Sequence, residues 1–448
     1  IREKIVVRPD YSFGFVRVTG KTGYKTYKGK GTFTDTIDLS FKGLRGFGTL
    51  DYLNAKSISN PKGFTFFPDS TNGLATNFTI KQQSAAQGTE SPSVKGEDIK
   101  IHWEPYENRL MAAETGKVFK MYGDTTTLAG GLIYGPNGLG GWGKYTFSEA
   151  IITSQKFEFK EKIVNADSAD FDLKTQGGAL DEMAFKTKNV KANIDFTTQK
   201  ANFTSNDKLS LVQLPKNMYV CYLTKFTWDM KTKQIALGDP KDMNTDKRDL
   251  HFYSVHPKQD TLNFESPYAT YDLKNHIIGA YKVPYIDIAD SRIIPNKDSI
   301  ITVKKEAFMD TIRNAKLIAN RDNKYHTIYD ATFFVKGRNN FAGHGMYDFI
   351  DENKTKHPLP LTRIRVDSAQ HVYGKGKLEQ EQNFKLSSVY SYFGDYKMLS
   401  TQQYLTFDGN VLIANECAKI KPSWFKFAGE INPEEIFIPV SDNMVDID

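Results

Sequence analysis

Five times along this chain a strand-like heptapeptide recurs in the form apolar-x-Gly-x-Gly-x-apolar. The copies are YKGKGTF (Tyr27–Phe33), LRGFGTL (Leu44–Leu50), LGGWGKY (Leu139–Tyr145), FAGHGMY (Phe341–Tyr347) and VYGKGKL (Val372–Leu378), with a degraded FDGNVLI at Phe407–Ile413. Residues two apart share a face of a strand, so each copy presents apolar, Gly, Gly, apolar on one side. The glycine pairs are Gly29/Gly31, Gly46/Gly48, Gly141/Gly143, Gly343/Gly345 and Gly374/Gly376. A strand glycine costs roughly 0.5–1 kcal/mol relative to alanine. Ten of them cost about 5–10 kcal/mol if additive, which is the size of a whole domain's stability. Something must offset this: close approach of another layer, room for a neighbouring ring, or strong bending of the sheet.

The rest of the chain agrees with strands. Period-two alternation runs through KFEFKEKI (Lys156–Ile163), NVKANIDF (Asn189–Phe196), KLSLVQL (Lys208–Leu214) and TRIRVDS (Thr362–Ser368), and turn clusters such as SNPKG and TSND separate the runs. Aromatic residues make up 13% of the chain, which favours strands over helices. The best helical candidate is Ser299–Asn320, and it also divides into two short strands, SIITV and NAKLIAN. A longer period is visible as well. GLRGFGTLDYLNAKSIS (Gly43–Ser59) matches GLGGWGKYTFSEAIITS (Gly138–Ser154) at an offset of 95. ATNFTIK (Ala75–Lys81) matches SADFDLK (Ser168–Lys174) at 93, and VKGEDIKIHW (Val94–Trp103) matches FKTKNVKANI (Phe185–Ile194) at 91. The expectation is an all-β chain with an elongated, repetitive sheet architecture of β-solenoid or β-taco type, or else a row of β-sandwich domains. Its expected segments are 1–90, 91–184, a divergent 185–290, and a C-terminal β region at 291–448 carrying the later glycine pairs.

Charge and cysteine usage narrow the function classes. A net charge of +6 from 59 basic and 53 acidic residues spread along the chain gives no basic stripe of the kind nucleic acid requires. No run of 18 apolar residues exists, so no transmembrane helix is expected. The opening at Ile1 has no methionine or charged-then-apolar leader and reads as a mature or trimmed segment. Cys221 and Cys417 have no metal-type spacing and read as buried small hydrophobes, with a disulfide as the alternative.

The chemical motifs are weak. Gly138 to Lys144 nearly spells a phosphate-binding loop, but Tyr145 replaces the small hydroxyl residue and the following residues read as strand rather than helix. The eight histidines, His102, His251, His256, His276, His326, His344, His357 and His371, form no compact ligand set. The carboxylate pairs Asp287/Asp290 and Glu379/Glu381 read as a solvated polar face. No catalytic residue, cofactor or metal ligand is assigned, and the chain is expected not to be an enzyme. Trp103, Trp142, Trp228 and Trp424 are candidates for a sugar-binding platform, with packing as the competing role. One signal exceeds average residue usage. Asp-[Ser/Thr] followed by a small or apolar residue begins at Asp35, Asp69, Asp124, Asp167, Asp260, Asp298, Asp310 and Asp367. It resembles the O-glycosylation acceptor motif of Bacteroides-type bacteria, making Thr36, Ser70, Thr125, Ser168, Thr261, Ser299, Thr311 and Ser368 candidate acceptors. The alternative is that Asp-Ser and Asp-Thr serve turns through their own hydrogen bonds.

FTFFPDS (Phe64–Ser70), NADSADFDLK (Asn165–Lys174), YVCYLTKFTWDM (Tyr219–Met230), FYSVHPKQDTLNF (Phe252–Phe264), YIDIADSRIIP (Tyr285–Pro295) and KPSWFKFAGEINPEEIFIPV (Lys421–Val440) together resemble very large, uncharacterised repeat-containing envelope proteins of Bacteroides-type bacteria. The glycine strands and NVKANIDF-type runs are also similar in architecture to the periplasmic β-taco and β-groove lipid carriers, the OstA-like and AsmA-like proteins. The resemblance implies export to the periplasm or cell surface and brings no catalytic residues. Three functions follow as expectations. The first is a non-enzymatic structural or interaction scaffold of the envelope, partnered by envelope proteins. The second is a lipid or lipopolysaccharide conduit along an apolar groove. The third is a glycan-binding module.

Overall fold

The computed structural model describes residues 4–175, 182–414 and 422–438. The protein is all-β: among the described residues there are 36 strands and six single-turn 3-10 segments, with no α-helix. Every pairing between neighbouring strands of known register is antiparallel, as short turns between alternating runs require. The helical candidate resolves into the strands Ile300–Val303 and Ile312–Ala319. Its branched residues, Ile300, Ile301, Thr302 and Val303 in the first and Ile312 and Ile318 in the second, suit a half-buried pleat better than a helix.

The chain forms two compact units, one made of Ile1–Val212 with Thr224–Ile235 and the other of Gln213–Leu223 with Ala236–Asp448. The expected boundary after residue 184 falls inside the strand Met183–Asp195, and the one after 290 falls in the tight turn between Ile286–Ile288 and Ser291–Ile294.

In the first unit the sequence offset reappears in the strand bounds. Gly31–Ser40 and Gly43–Tyr52 form one long hairpin; Thr126–Gly135 and Gly138–Phe147 form another, 95 residues on. The drop from 95 to 93 has a local cause. The first hairpin is followed by two short strands, Ala55–Ser59 and Phe64–Phe66, separated by the Asn60–Gly63 turn; the second is followed by one unbroken strand, Ala150–Phe159. A tyrosine lock occupies matching places. Tyr27 and Tyr122 both have left-handed backbones, at φ 47° and 52°. The Tyr27 hydroxyl donates to the carbonyls of Phe67 (2.9 Å) and Ser70, and the Tyr122 hydroxyl to those of Lys160 (2.8 Å) and Ile163 (3.2 Å). Each acceptor pair spans the same turn, 93 residues apart.

Most glycine positions are filled by side chains from the protein itself. A Cβ on Gly46 would lie 2.6 Å from Phe33 Cζ and 2.7 Å from Phe66 Cε2. One on Gly31 would lie 2.5 Å from the Trp103 ring, and one on Gly141 would lie 2.9 Å from Phe159 Cε2. In the second unit Gly343 lies under Phe333, Gly345 against Ala331 and Ile328, Gly374 against Leu361, and Gly376 under the Tyr396 hydroxyl.

The expected uniform glycine face is corrected at Gly29, Gly48 and Gly143. Gly29 lies in the Tyr27–Gly29 turn at φ +88° with open space around it, so Gly29/Gly31 is not a strand pair. Gly48 and Gly143, 95 residues apart, seat no ring. Gly48 sits at φ +153° opposite Asp35, and a side chain there would meet the Thr34 carbonyl of the facing strand. Its N–H donates to the Ser59 hydroxyl (3.0 Å) instead of continuing the ladder with Ala55–Ser59. Gly143 sits at φ +122° opposite Gly130, and a side chain there would meet the Ala129 carbonyl. Its register with Ala150–Phe159 shifts at this point. The second glycine of each hairpin therefore permits close backbone approach and an irregularity that bends the strand, so Gly46/Gly48 and Gly141/Gly143 each divide into one ring seat and one bend. Gly374 and Gly376 share the buried side in the expected way.

The second unit contains a ten-stranded antiparallel sheet from Ile286–Ile288 to Trp424–Ile431 in sequence order, apart from the short strand Ile300–Val303, which pairs elsewhere. Its core is closed by Phe333, Leu361, Met398 and Phe407, all fully buried.

Candidate functional site

The first unit's sheet has a core side and an outward side, set by alternation. In Val94–Glu104, Ile99, Ile101 and Trp103 are buried, whereas Lys100 and His102 point outward. The strand register then builds one outward row across twelve strands. It runs Arg45, Thr65, Asn72, His102, Met111, Ile133. It continues Gly140, Glu158, Asn165, Asn193, Asn202, Thr227. Hydrogen bonds tie its far end together: Asn165 Nδ2 donates to Glu158 (2.8 Å), Asn193 Nδ2 to Asn165 (2.8 Å), and the Thr227 hydroxyl to Asn202 (2.9 Å). A second row, two residues over, runs Leu74, Lys100, Ala113, Gly131, Trp142.

Trp142 is half-exposed, and its indole lies over Gly131, the residue directly across from it. No side chain at 131 would leave room for the ring. Phe47 plays the corresponding part 95 residues earlier and rests against Gly63. The indole separates two hollows of different charge. One, of about 900 Å³, takes Arg45, Asn60, Lys62, Asn72, Leu74, Lys100, His102, Met111 and Trp142 into its walls, and no carboxylate lines it. The other, of about 860 Å³, is lined by Glu90, Glu107, Glu158 and Asp167 together with Arg109, Lys156 and Lys160. Both have the size of a small-ligand site. Two acids beside the first hollow, Asp38 opposite Arg45 in the register and Glu104 two residues from His102, are already engaged. Asp38 pairs with Arg8, and Glu104 with Arg109 (2.6 Å) and with His102 of the hollow's wall (3.4 Å), which together hold the Glu104 carboxyl below its ordinary range. Arg45, Lys62 and Lys100 form no ion pair among the described residues, and Arg45 Nε is buried without a hydrogen-bond partner.

The remaining candidates are structural or scattered. Trp103 and Trp228 are core residues, and Trp424 packs edge-on against Phe393 at 4.7 Å, so of the four tryptophans only Trp142 lies at either of these hollows. The near-phosphate loop is the strand Gly138–Phe147, with exposed Lys144 paired across to Ala129 and Thr153; no helix opens after it. Asp287 makes a bidentate pair with Arg292 (2.7 and 2.9 Å). Burial pushes its carboxyl up, and Arg292 and Arg321 outweigh that to hold it below the ordinary range. Asp290 accepts from Ser291 (2.8 Å), Val372 N (3.1 Å) and Ser400, so it ties strands together. Glu379 caps the Gln380–Gln382 turn and pairs with Lys377 (2.9 Å). Among the described residues no three His, Cys, Asp or Glu side chains form a metal-sized group. No helix among them is long and apolar enough to cross a membrane. Cys221 is buried, its thiol raised by burial, while Cys417 lies outside the described residues. Of the eight hydroxyl candidates, Thr125, Ser168, Thr261 and Ser368 are exposed, and Thr36, Ser70, Ser299 and Thr311 are half-buried.

The hollow beside Trp142 was not legible as a site. Lys100 and Trp142 are far apart in the chain, and only the strand register brings them into one row. No family model matches this chain, and no curated protein matches it.

Proposed function

We propose that this chain is a non-enzymatic interaction scaffold of the bacterial cell envelope, built from β repeats. The observation that carries the reading is the division of labour between the two sides of the first unit's sheet. The core side is filled by the protein's own rings, so the space beside Gly31, Gly46 and Gly141 that an acyl-chain conduit would use is taken by Trp103, Phe33, Phe66 and Phe159. The outward side carries a twelve-strand row and the hollow between Arg45 and Trp142, which suits recognition of partners.

The envelope part rests on the Asp-Ser/Thr motifs. A turn device common to the two halves of the first unit would place them at matching positions. Asp35-Thr36 instead aligns with Gly130-Gly131 at the 95-residue offset, Asp124-Thr125 aligns with Gly29-Lys30, and Asp69-Ser70 aligns with Lys162-Ile163 at 93. No acceptor hydroxyl residue is buried, as modification requires; the turn alternative is supported by local bonds from Thr36 to Asp35 (2.9 Å), Ser70 to Asp69 (3.2 Å), Thr125 to the Tyr122 carbonyl (2.8 Å) and the Ala369 and His371 N–H groups to Asp367 (both 2.9 Å), and glycan mapping decides between the two. The test is expression behind an export leader in a Bacteroides-type host, then fractionation and glycopeptide mass spectrometry. Glycan is expected on the exposed Thr125, Ser168, Thr261 and Ser368, in protein recovered from the periplasm or cell surface. Exported protein with all eight positions bare would remove the envelope argument.

A further inference from the structure

We propose that the hollow between Arg45 and Trp142 binds an acidic saccharide, with a sugar ring on the indole and its carboxylate held by Lys100 and Arg45. This deepens the scaffold reading and rests on it.

Three features of the hollow converge on that chemistry. The first is a flat, half-exposed aromatic surface. The Trp142 ring is backed by Gly131 and so is held in place without a pocket of its own. Among the described residues its indole N–H makes no hydrogen bond, leaving a donor for a hydroxyl. The apolar surface beside it is formed by Ala113, Met111, Ile101, the 39%-exposed Leu74 and the 46%-exposed Phe67. This open wall can take the C–H faces of one or two pyranose rings, whereas an acyl chain is shielded from water only in a closed dry channel.

The second feature is uncompensated positive charge. Arg45, Lys62 and Lys100 line the hollow without an ion pair, and the adjacent acids Asp38 and Glu104 are held by Arg8 and Arg109. A buried guanidinium nitrogen without an acceptor is costly. Arg45 Nε is itself occluded, so a carboxylate in the hollow that Arg45 lines would form its charge-assisted bond with the remainder of the guanidinium. The third feature is the side-chain amides of Asn60 and Asn72, whose Nδ2 donors can meet hydroxyls; Asn72 Oδ1 is engaged by His102 Nδ1, His102 Nε2 faces Glu104 (3.4 Å), and Asn60 Oδ1 accepts from Lys62 N (3.0 Å). The hollow on the other side of Trp142 sets four acids against three bases and so offers an acid no net attraction, which gives the site a direction.

The test titrates the whole chain with hexasaccharides of galacturonate, of mannuronate and of a glucuronate-containing polymer, alongside a neutral hexasaccharide and an acidic peptide. Calorimetry and tryptophan emission are read together. At least one uronate is expected to bind at least tenfold more tightly than the neutral sugar, and to weaken as salt rises. Trp142→Ala and, separately, the exposed Lys100→Glu should each lose at least tenfold, with melting curves confirming that both variants fold. Lys144→Glu, a charge reversal outside the hollow, should bind like the parent chain. The proposal is overturned if none of the three uronates binds at millimolar concentration, if Lys100→Glu leaves affinity unchanged, or if the acidic peptide binds more tightly than every sugar. In any of those cases glycan mapping and fractionation still decide the scaffold reading separately.

Discussion

Replacing Gly46 with alanine probes most sharply why this chain tolerates so many strand glycines. The added methyl carbon would sit 2.6 and 2.8 Å from two atoms of the Phe33 ring and 2.7 Å from the Phe66 ring. Ordinary carbon–carbon contact is about 3.5–4.0 Å, so each ring must retreat by about 1 Å. Phe33 has no easy retreat, and half-exposed Phe66 can move only by giving up its contact with Phe33. Phe33 is fully buried, and the two rings already meet edge to face at 5.3 Å. Overpacking of this kind costs about 1–3 kcal/mol. Alanine's stiffer unfolded chain returns about 0.4–1 kcal/mol, since Gly46 needs no left-handed backbone. The net expectation is a loss of about 1–2 kcal/mol. Gly20 provides the control: it is exposed, has no atom within 4 Å of its added Cβ and no left-handed φ, so Gly20→Ala should be neutral or slightly stabilising.

Urea unfolding followed by tryptophan emission reads the first unit, which holds Trp103, Trp142 and Trp228. The pairing of glycine with ring is then isolated by a double-mutant cycle with Phe66→Leu. Trimming that ring should cost at least about 1 kcal/mol less in the Gly46→Ala background than in the parent, because it removes the clash. A Gly46→Ala variant as stable as the parent, or a cycle without coupling, would refute the idea that this glycine exists to seat a ring.

Three further outcomes are expected. Tyr122→Phe removes the hydroxyl that holds the Lys160 and Ile163 carbonyls, and should cost about 1–2 kcal/mol by chemical denaturation, with Tyr27→Phe giving a similar loss. Tyr52→Phe should be neutral or stabilising by up to about 1 kcal/mol in the same assay. Its hydroxyl is buried without a partner, and the matching residue in the second hairpin is Phe147. His326 is fully buried, donating from Nε2 to the Gln402 carbonyl (2.7 Å) and accepting from the Tyr347 hydroxyl (3.2 Å), and burial pulls its pKa below the ordinary 6.5. The unfolded chain therefore binds the proton first. This contribution is fully present above pH 6.5 and is lost as pH falls below it, by up to about 1.4 kcal/mol per pH unit. Stability of the second unit between pH 7.5 and 5.5 should show that slope together with a like contribution from buried His276, so His326→Gln should reduce it and His326→Gln with His276→Gln should flatten it.

Much of the fold was written in side-chain alternation. Period-two runs specify strands, and a match such as Gly43–Ser59 with Gly138–Ser154 specifies where a hairpin recurs, because both are properties of contiguous residues. The occupant of each glycine position was not readable. Phe33 and Phe66 reach Gly46 from two different strands, and only the folded register brings them there. Nor does the heptapeptide distinguish Gly46, which seats rings, from Gly48, which lies against the Thr34 carbonyl, because backbone conformation decides between them. The tyrosine lock left almost no trace for a different reason. Its acceptors are main-chain carbonyls, so FPDS at Phe67–Ser70 and KEKI at Lys160–Ile163 serve equally well without sharing a residue. The hollow combines both difficulties. Arg45, Lys100 and Trp142 are unremarkable one at a time, and their lack of neutralising partners depends on where Asp38 and Glu104 spend their charge.

The central claim is that the ring-filled glycine faces are core and that recognition occurs on the opposite side of the sheet. The most direct measurement is the stoichiometry of acyl lipid in protein purified without detergent from a bacterial envelope, by native mass spectrometry with organic extraction, on the parent chain and on Gly141→Leu. With Phe159 and Leu132 filling the space at Gly141, the parent is expected to carry no stoichiometric lipid, and Gly141→Leu to be destabilised with no change in lipid content. One acyl lipid per chain, displaced by Gly141→Leu in a protein that still folds, would contradict the claim and return the glycine faces to the role of a groove.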